Sequence, residues 1–168
     1  MATKKWMWVI LAFFIIAAWL LGSVDQVAAE TRKGKFFNHA TKMEGLPIPD
    51  AEGHFFGMGI REGVNIYEDG ELGWQKSVAT FDATKEGVSF SQYTMVTYQD
   101  GSTTISYTKG TQRGPTFQFT GEIIHGTGRF QGIKGTVTAT GKMLPLEKGE
   151  IGPKAVGEFT MTFTLPPK

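Results

Sequence analysis

The sequence predicts an all-β protein, an eight-stranded antiparallel barrel preceded by an N-terminal signal segment. Residues 30–168 hold most of the 22 glycines, are rich in threonine and phenylalanine, and contain no long run of helical spacing. Short runs of alternating apolar and polar residues recur there, separated by turn signals such as Asp69-Gly70 and Asp100-Gly101. A closed barrel accommodates such runs without exposed sheet edges. A two-sheet sandwich is the alternative.

Residues 1–29 have the order of a secretory leader. Two lysines near the start are followed by an uncharged apolar run of 16 residues (6–21), and then by small residues that end at Ala29. This order predicts a signal peptide cleaved after Ala29, and a secreted or periplasmic barrel domain over residues 30–168. The alternative is a membrane tether over residues 6–21, which length disfavours because a spanning helix needs roughly 18 residues or more.

Composition excludes several classes of function. The chain has 17 basic and 16 acidic residues, of which two lysines and one aspartate lie in the leader. Residues 30–168 therefore have 15 of each and no net charge when the histidines are neutral. No basic block stands out, and nucleic acid is therefore not expected as a partner. The chain has no cysteine, which excludes disulfides, thiol nucleophiles and zinc–thiolate sites. Its three histidines lack metal-binding spacing, so no metal or other cofactor is expected.

The first half of the barrel is predicted from four runs. Residues 30–35 are polar and predict a disordered start, before a first short strand. Pro47 and Pro49 predict an exposed connection, because proline cannot donate to a strand ladder. Glycines inside the second run predict a strongly bent strand, as barrel corners require. The four predicted strands span residues 35–43, 53–67, 72–82 and 88–98.

The second half follows the same logic. Residues 110–115 predict a polar loop, and residues 144–154 predict a long exposed loop because they contain prolines and charges. The last run has the clearest alternation in the chain, with Phe159, Met161 and Phe163 on one face. The four predicted strands span residues 103–109, 116–124, 135–141 and 155–165.

A glycine-rich turn at residues 126–135 (GTGRFQGIKG) joins two of these runs. A phosphate-binding loop would need a helix after it, whereas the residues that follow have a strand pattern. The turn is therefore predicted to be structural. Gly126 and Gly128 would take conformations that other residues resist, and Phe130 would plug a barrel end.

This turn, with residues 119–124 (FTGEII) and Thr140-Gly141, resembles the allene oxide cyclase and dirigent superfamily of calycin-like barrels. The resemblance covers about the second half of the chain after the leader. It implies an eight-stranded barrel with an apolar cavity, which often forms dimers or trimers. Some members cyclise a fatty-acid epoxide and others steer the coupling of phenoxy radicals. No catalytic residue is carried over, because the carboxylate and asparagines of the cyclases do not align here.

Candidate ligand contacts lie in or beside the apolar runs, since a binding cavity combines apolar walls with a few polar anchors. Glu62 and Asn65 are on the bent second run, where an inward carboxylate is costly unless paired or used. The alternative is that both point to solvent. The full candidate set is His54, Phe56, Glu62, Asn65, Tyr98 and Arg113.

Together these features predict an exported, non-enzymatic barrel that binds a small apolar or aromatic molecule in its cavity. One alternative is a cofactor-independent isomerase or cyclase, in which Glu62 or another buried carboxylate stabilises charge. Another is a structural secreted barrel without a ligand. A homodimer or homotrimer is expected from the resemblance, and membrane contact only through an uncleaved leader.

Overall fold

The computed structural model describes residues 28–167, in which eight antiparallel strands close into one barrel. The predicted signal peptide, apart from its last two residues, lies outside the described residues. Within the described part, no helix has the length and hydropathy needed to span a bilayer. A short 3-10 helix, Gly128–Phe130, separates the sixth and seventh strands. The strands are β1 (Glu30–Pro47), β2 (Phe55–Tyr67), β3 (Leu72–Thr84), β4 (Gly87–Tyr98), β5 (Thr103–Arg113), β6 (Thr116–Gly126), β7 (Lys134–Met143) and β8 (Ala155–Thr164).

The predicted all-β barrel is confirmed, and the sandwich alternative is wrong because β1 also pairs with β8. Each strand otherwise pairs with its neighbour in the chain, so the strands run up and down around the barrel in chain order. Both Asp-Gly turns contain a glycine of positive φ, 86° at Gly70 and 80° at Gly101, as such turns require. Alternation along each strand sends every second side chain into the barrel, as at Phe159, Met161 and Phe163 of β8.

The first strand is longer than its sequence pattern predicts. The disordered start predicted for residues 30–35 is wrong, because these residues pair with β8 from Glu30 opposite Phe163 onward. Their side chains are polar since most point to solvent, while the backbone hydrogen bonds hold the segment in the sheet. A bulge between Ala40 and Lys42 then shifts the inward register. The predicted loop at residues 110–115 is also shorter, since β5 continues to Arg113.

Aromatic side chains close one end of the barrel. Phe130, from the 3-10 helix, is 3% exposed and its ring centroid lies 4.7 Å from that of Tyr98 and 6.0 Å from that of Phe163. The hydroxyl groups of Tyr67 and Tyr98 are 2.7 Å apart. Phe130 therefore plugs this end, as the glycine-rich turn predicts. Burial raises the pKa of Tyr67 far above its ordinary value, so the phenol stays protonated.

The turn that carries Phe130 uses its glycines in two ways. Gly128 has a φ of 60°, the left-handed conformation predicted for it. Gly126 does not adopt a positive φ, so that part of the prediction is wrong. A Cβ at Gly126 would instead lie 2.3 Å from the carbonyl oxygen of Phe130, so no side chain fits there.

Two arginines cover this closed end from the solvent side. The guanidinium carbon of Arg32 lies 4.1 Å from the centroid of Tyr67, and that of Arg129 lies 5.0 Å from the centroid of Tyr98. Both guanidinium groups donate to the Glu71 carboxylate. Cation–π contacts and a shared carboxylate therefore shield the aromatic plug from water.

Candidate functional site

The barrel encloses a cavity of about 240 Å³ between the closed end and the opposite mouth. The mouth is formed by the strand ends near Ala83, Val88 and Gln112, and by Pro153 in the loop between β7 and β8. This volume is just below the roughly 300–1,000 Å³ typical of small-molecule pockets, so it suits a compact ligand. The side chains that give the cavity its apolar walls include Phe36, Phe90, Phe117, Phe119, Val137 and Met161.

The cavity wall has two different halves. All of its polar side chains come from β1 to β5, whereas β6 to β8 contribute only apolar ones. In an eight-stranded closed order β6 lies four strands from β2, on the opposite side of the barrel. A bound molecule would therefore meet hydrogen-bonding groups on one side only, with apolar side chains alone on the other.

The strand register places four of the polar side chains in one row. Arg61 of β2 is opposite Ser77 of β3, which is opposite Thr94 of β4, which is opposite Ser106 of β5. The hydroxyl groups of Ser77 and Thr94 are 2.9 Å apart and hydrogen-bonded. Since all four residues line the cavity, they present a cation and three hydroxyl groups to its contents.

Arg61 is the one charged side chain that lines the cavity among the described residues. Its Nε donates to Oδ1 of Asn38 at 2.7 Å, and its Nη2 donates to the carbonyl oxygen of Pro153 at 2.7 Å. Both acceptors are neutral, and no carboxylate of residues 28–167 lies within 4.0 Å of the guanidinium. Burial lowers the pKa of Arg61, because desolvation disfavours its charged form.

Two further polar groups of the cavity wall have no hydrogen-bond partner within the described part of the chain. These are Oδ1 of Asn65 and Nε2 of Gln75, both buried. An unsatisfied buried polar group costs about 1–3 kcal/mol, so such groups are uncommon in folded proteins. Their position on the polar half of the wall means that a ligand could supply the missing partners.

The six candidate contacts predicted from the sequence fall in different places. Asn65 lines the cavity, and Tyr98 is buried in the closed end, where its hydroxyl also lies 3.3 Å from that of Thr104. Glu62 points out of the barrel and forms an ion pair with Lys76 at 2.8 Å. The hydrogen bond and charge of Lys76 lower the pKa of Glu62. The solvent-facing alternative therefore describes Glu62 but not Asn65.

The other three candidates lie away from the cavity wall. Phe56 is on the outer face of β2, about half exposed, and Arg113 is exposed at the end of β5. His54 lies outside the barrel, with ring nitrogens 2.7 Å from a carboxylate oxygen of Asp50 and 2.8 Å from one of Asp82. These hydrogen bonds raise the pKa of His54, Asp50 contributing most.

Sequence reasoning missed Arg61, although a signal for it exists. Residues four apart on a strand share a face, so an inward Asn65 implies an inward Arg61. Asn65 follows Glu62 by three positions, an odd offset, so the two cannot share a face without a bulge. The pairing of β2 with β3 is regular, so the alternation holds from Arg61 to Asn65.

Comparison with solved structures shows that the fold is shared. A protein of unknown function from the DUF3224 family of Shewanella oneidensis MR-1 matches with a TM-score of 0.54 and 16% identity, over 83% of this chain and 100% of that chain. The pterocarpan synthase dirigent protein GePTS1 matches with a TM-score of 0.49 and 16% identity, over 83% and 92%. The pterocarpan synthase dirigent protein PsPTS1 matches with a TM-score of 0.47 and 14% identity, over 84% of this chain and 97% of that chain.

The match with a TM-score of 0.54 shows that this chain shares its barrel fold with the DUF3224 protein. No protein-family model matches the chain, and the curated protein sequences contain no significant match. Since identities of 14–16% carry no site residues across, the function has to be argued from the cavity itself.

Proposed function

We propose that this protein is a non-enzymatic binding module that holds a small apolar or aromatic molecule inside its barrel. The observation that carries the proposal is the cavity, which is lined mainly by carbon and has a few convergent polar groups on one side. That combination is the usual composition of a small-molecule site.

The chemistry of the wall favours binding over catalysis. Among the described residues, no Asp, Glu, His or Lys side chain lines the cavity, so no side chain of ordinary acid–base strength is in reach of its contents. Burial strongly raises the pKa of the Tyr67 phenol, so it stays protonated and no phenolate is available as a base. Glu62, the carboxylate suggested for an isomerase or cyclase, faces solvent beside Lys76. The isomerase alternative therefore lacks the carboxylate on which it depended.

A cavity-filling substitution tests the binding proposal. In Ala79→Trp the new side chain would occupy the cavity, whereas in Thr80→Trp, one residue further along β3, it would point to solvent. Ligand-observed NMR with indole and naphthalene is expected to detect binding to the unmodified protein and to Thr80→Trp. Binding should be lost in Ala79→Trp. If neither probe binds the unmodified protein, and if native mass spectrometry finds no co-purifying small molecule, the proposal is wrong.

We also propose that the barrel is exported and released from its leader. The leader pattern in residues 1–29 supports this, and so does the start of β1 at Glu30, directly after the predicted cleavage point. Cleavage after Ala29 would leave every residue of the barrel in place. Intact-mass measurement of the protein from the extracytoplasmic fraction should give a chain that begins at Glu30, and a chain that retains residues 6–21 would contradict release.

A second copy of the chain is the proposed protein partner. Large apolar side chains on the outer faces of β3 and β4 are about half exposed, and Val78 lies directly opposite Tyr93 in the register. Exposed apolar side chains grouped on one face in this way mark interfaces in soluble proteins. Light scattering is expected to find a dimer or trimer, and Tyr93→Lys is expected to shift it towards the monomer. A monomer at micromolar concentration would overturn the proposal. The side chains concerned are Trp74, Val78, Tyr93 and Met95.

A further inference from the structure

The cavity holds one positive charge without a negative partner. Arg61 is partly buried, and withdrawing a guanidinium from water is costly, so proteins usually compensate it with a carboxylate. Here the described residues provide only the amide oxygen of Asn38 and the carbonyl oxygen of Pro153. An apolar residue at position 61 would pack against the same walls without this cost. The arginine is therefore better explained by a group that enters the cavity.

The guanidinium has donors left for such a group. Of its five N–H groups, one on Nε and one on Nη2 have a partner within residues 28–167, which leaves three. Ser77 lies opposite Arg61 on β3, and Thr94 and Ser106 continue the row on β4 and β5. Ser77 and Thr94 share one hydrogen bond, so one of their two hydroxyl hydrogens is still free to donate. Planar N–H pairs and nearby hydroxyls match the two oxygens of a carboxylate.

We propose that the ligand of this barrel is a compact carboxylate, whose anionic group is held by Arg61 and the hydroxyl row while its apolar body packs against β6 to β8. This inference rests on the proposed binding function and specifies its ligand class. Phe117 and Phe119 of β6 lie across the barrel from Arg61, so the body of the ligand extends away from the charge. A phosphate monoester, with its second charge, would need a further cation that the described cavity wall lacks.

The test compares acids with their isosteric amides. Benzoate, 3-phenylpropionate and octanoate are each titrated calorimetrically against the corresponding amide at neutral pH. At least one acid is expected to bind about 10- to 100-fold more tightly than its amide, because hydrogen bonds to a charged group are stronger than neutral ones. Arg61→Met is expected to reduce that preference to about threefold or less, and Arg61→Lys to retain part of it.

Lys142→Met is the matched control. It removes the same charge from the outer face of β7, so the ratio of acid to amide affinity should not change. A purely structural role of Arg61, tethering Pro153, would change stability in Arg61→Met but leave this ratio unaltered. That result would overturn the inference.

The remaining outcomes separate the inference from the function on which it rests. If indole or naphthalene binds but no acid outcompetes its amide, the carboxylate inference is wrong and the binding function stands. If no acid, amide or neutral probe binds, both are wrong.

Discussion

Replacing Phe130 with alanine should test whether the aromatic plug stabilises the barrel. The ring is 3% exposed and packs against Tyr98 and Phe163. Truncating a buried phenylalanine costs about 3–5 kcal/mol, from lost burial and from the cavity that remains. The neighbouring rings are held by β4 and β8 and cannot collapse into the space, so the upper part of that range is expected. For a domain of this size the loss corresponds to a melting temperature lower by roughly 10–20 °C.

Guanidinium denaturation followed by tryptophan fluorescence measures the effect, with an unchanged denaturant slope showing that only stability has changed. Phe55→Ala is the matched control, because Phe55, at the start of β2, is 45% exposed. It should cost about 1 kcal/mol or less. If Phe130→Ala costs no more than Phe55→Ala, the ring does not close the barrel in the way described.

Two further predictions concern His54, near the mouth, and Gly121, where the backbones of β5 and β6 come close together. Hydrogen bonds to Asp50 and Asp82 raise the pKa of His54, so this contribution to stability is complete below the unfolded pKa of about 6.5 and is lost as pH rises through the folded value. Hydrogen exchange of residues 48–54 should therefore show more protection at pH 5.5 than at pH 8.5, a difference that Asp82→Asn should diminish; equal protection would contradict it. Gly121→Ala should destabilise by several kcal/mol, roughly 3 or more, because its Cβ would lie 2.0 Å from the carbonyl oxygen of Tyr107. Gly45→Ala, where the nearest atom is 3.7 Å away, should be almost neutral in thermal unfolding, and equal effects would refute this reasoning.

The barrel could be predicted because most of its strands and turns have recognisable local sequence patterns. In β8, Phe159, Met161 and Phe163 alternate with polar residues, and the Asp-Gly turns require positive φ at Gly70 and Gly101. Closure of the sheet was harder to predict. The residues at the start of β1 are polar, and they enter the sheet through backbone hydrogen bonds to β8 that leave no apolar pattern.

The cavity wall could be predicted only in part, because the strand register decides which side chains point into the barrel. Asn65 was among the predicted contacts and lines the cavity. The sequence alone does not show which face of β2 points inward, so Glu62 and Arg61 were equally possible neighbours for it. Glu62 lies on the outer face with Lys76, so the carboxylate hypothesis placed the site on the wrong face of β2. The bulge near Thr41 adds to the difficulty, since it brings Met43 into the cavity wall against simple alternation.

The two ends of the barrel interior differ in how their arginines are paired. At the closed end, Arg32 and Arg129 share the Glu71 carboxylate and cover aromatic rings, so their charges are compensated and the end is fully occupied. In the cavity, Arg61 has only neutral acceptors, beside side-chain groups that lack partners. A barrel that needed only to fold could fill this space with carbon, as it does around Phe130. If the proposed function is right, the side of the cavity around Arg61 is therefore where a ligand would gain most by binding.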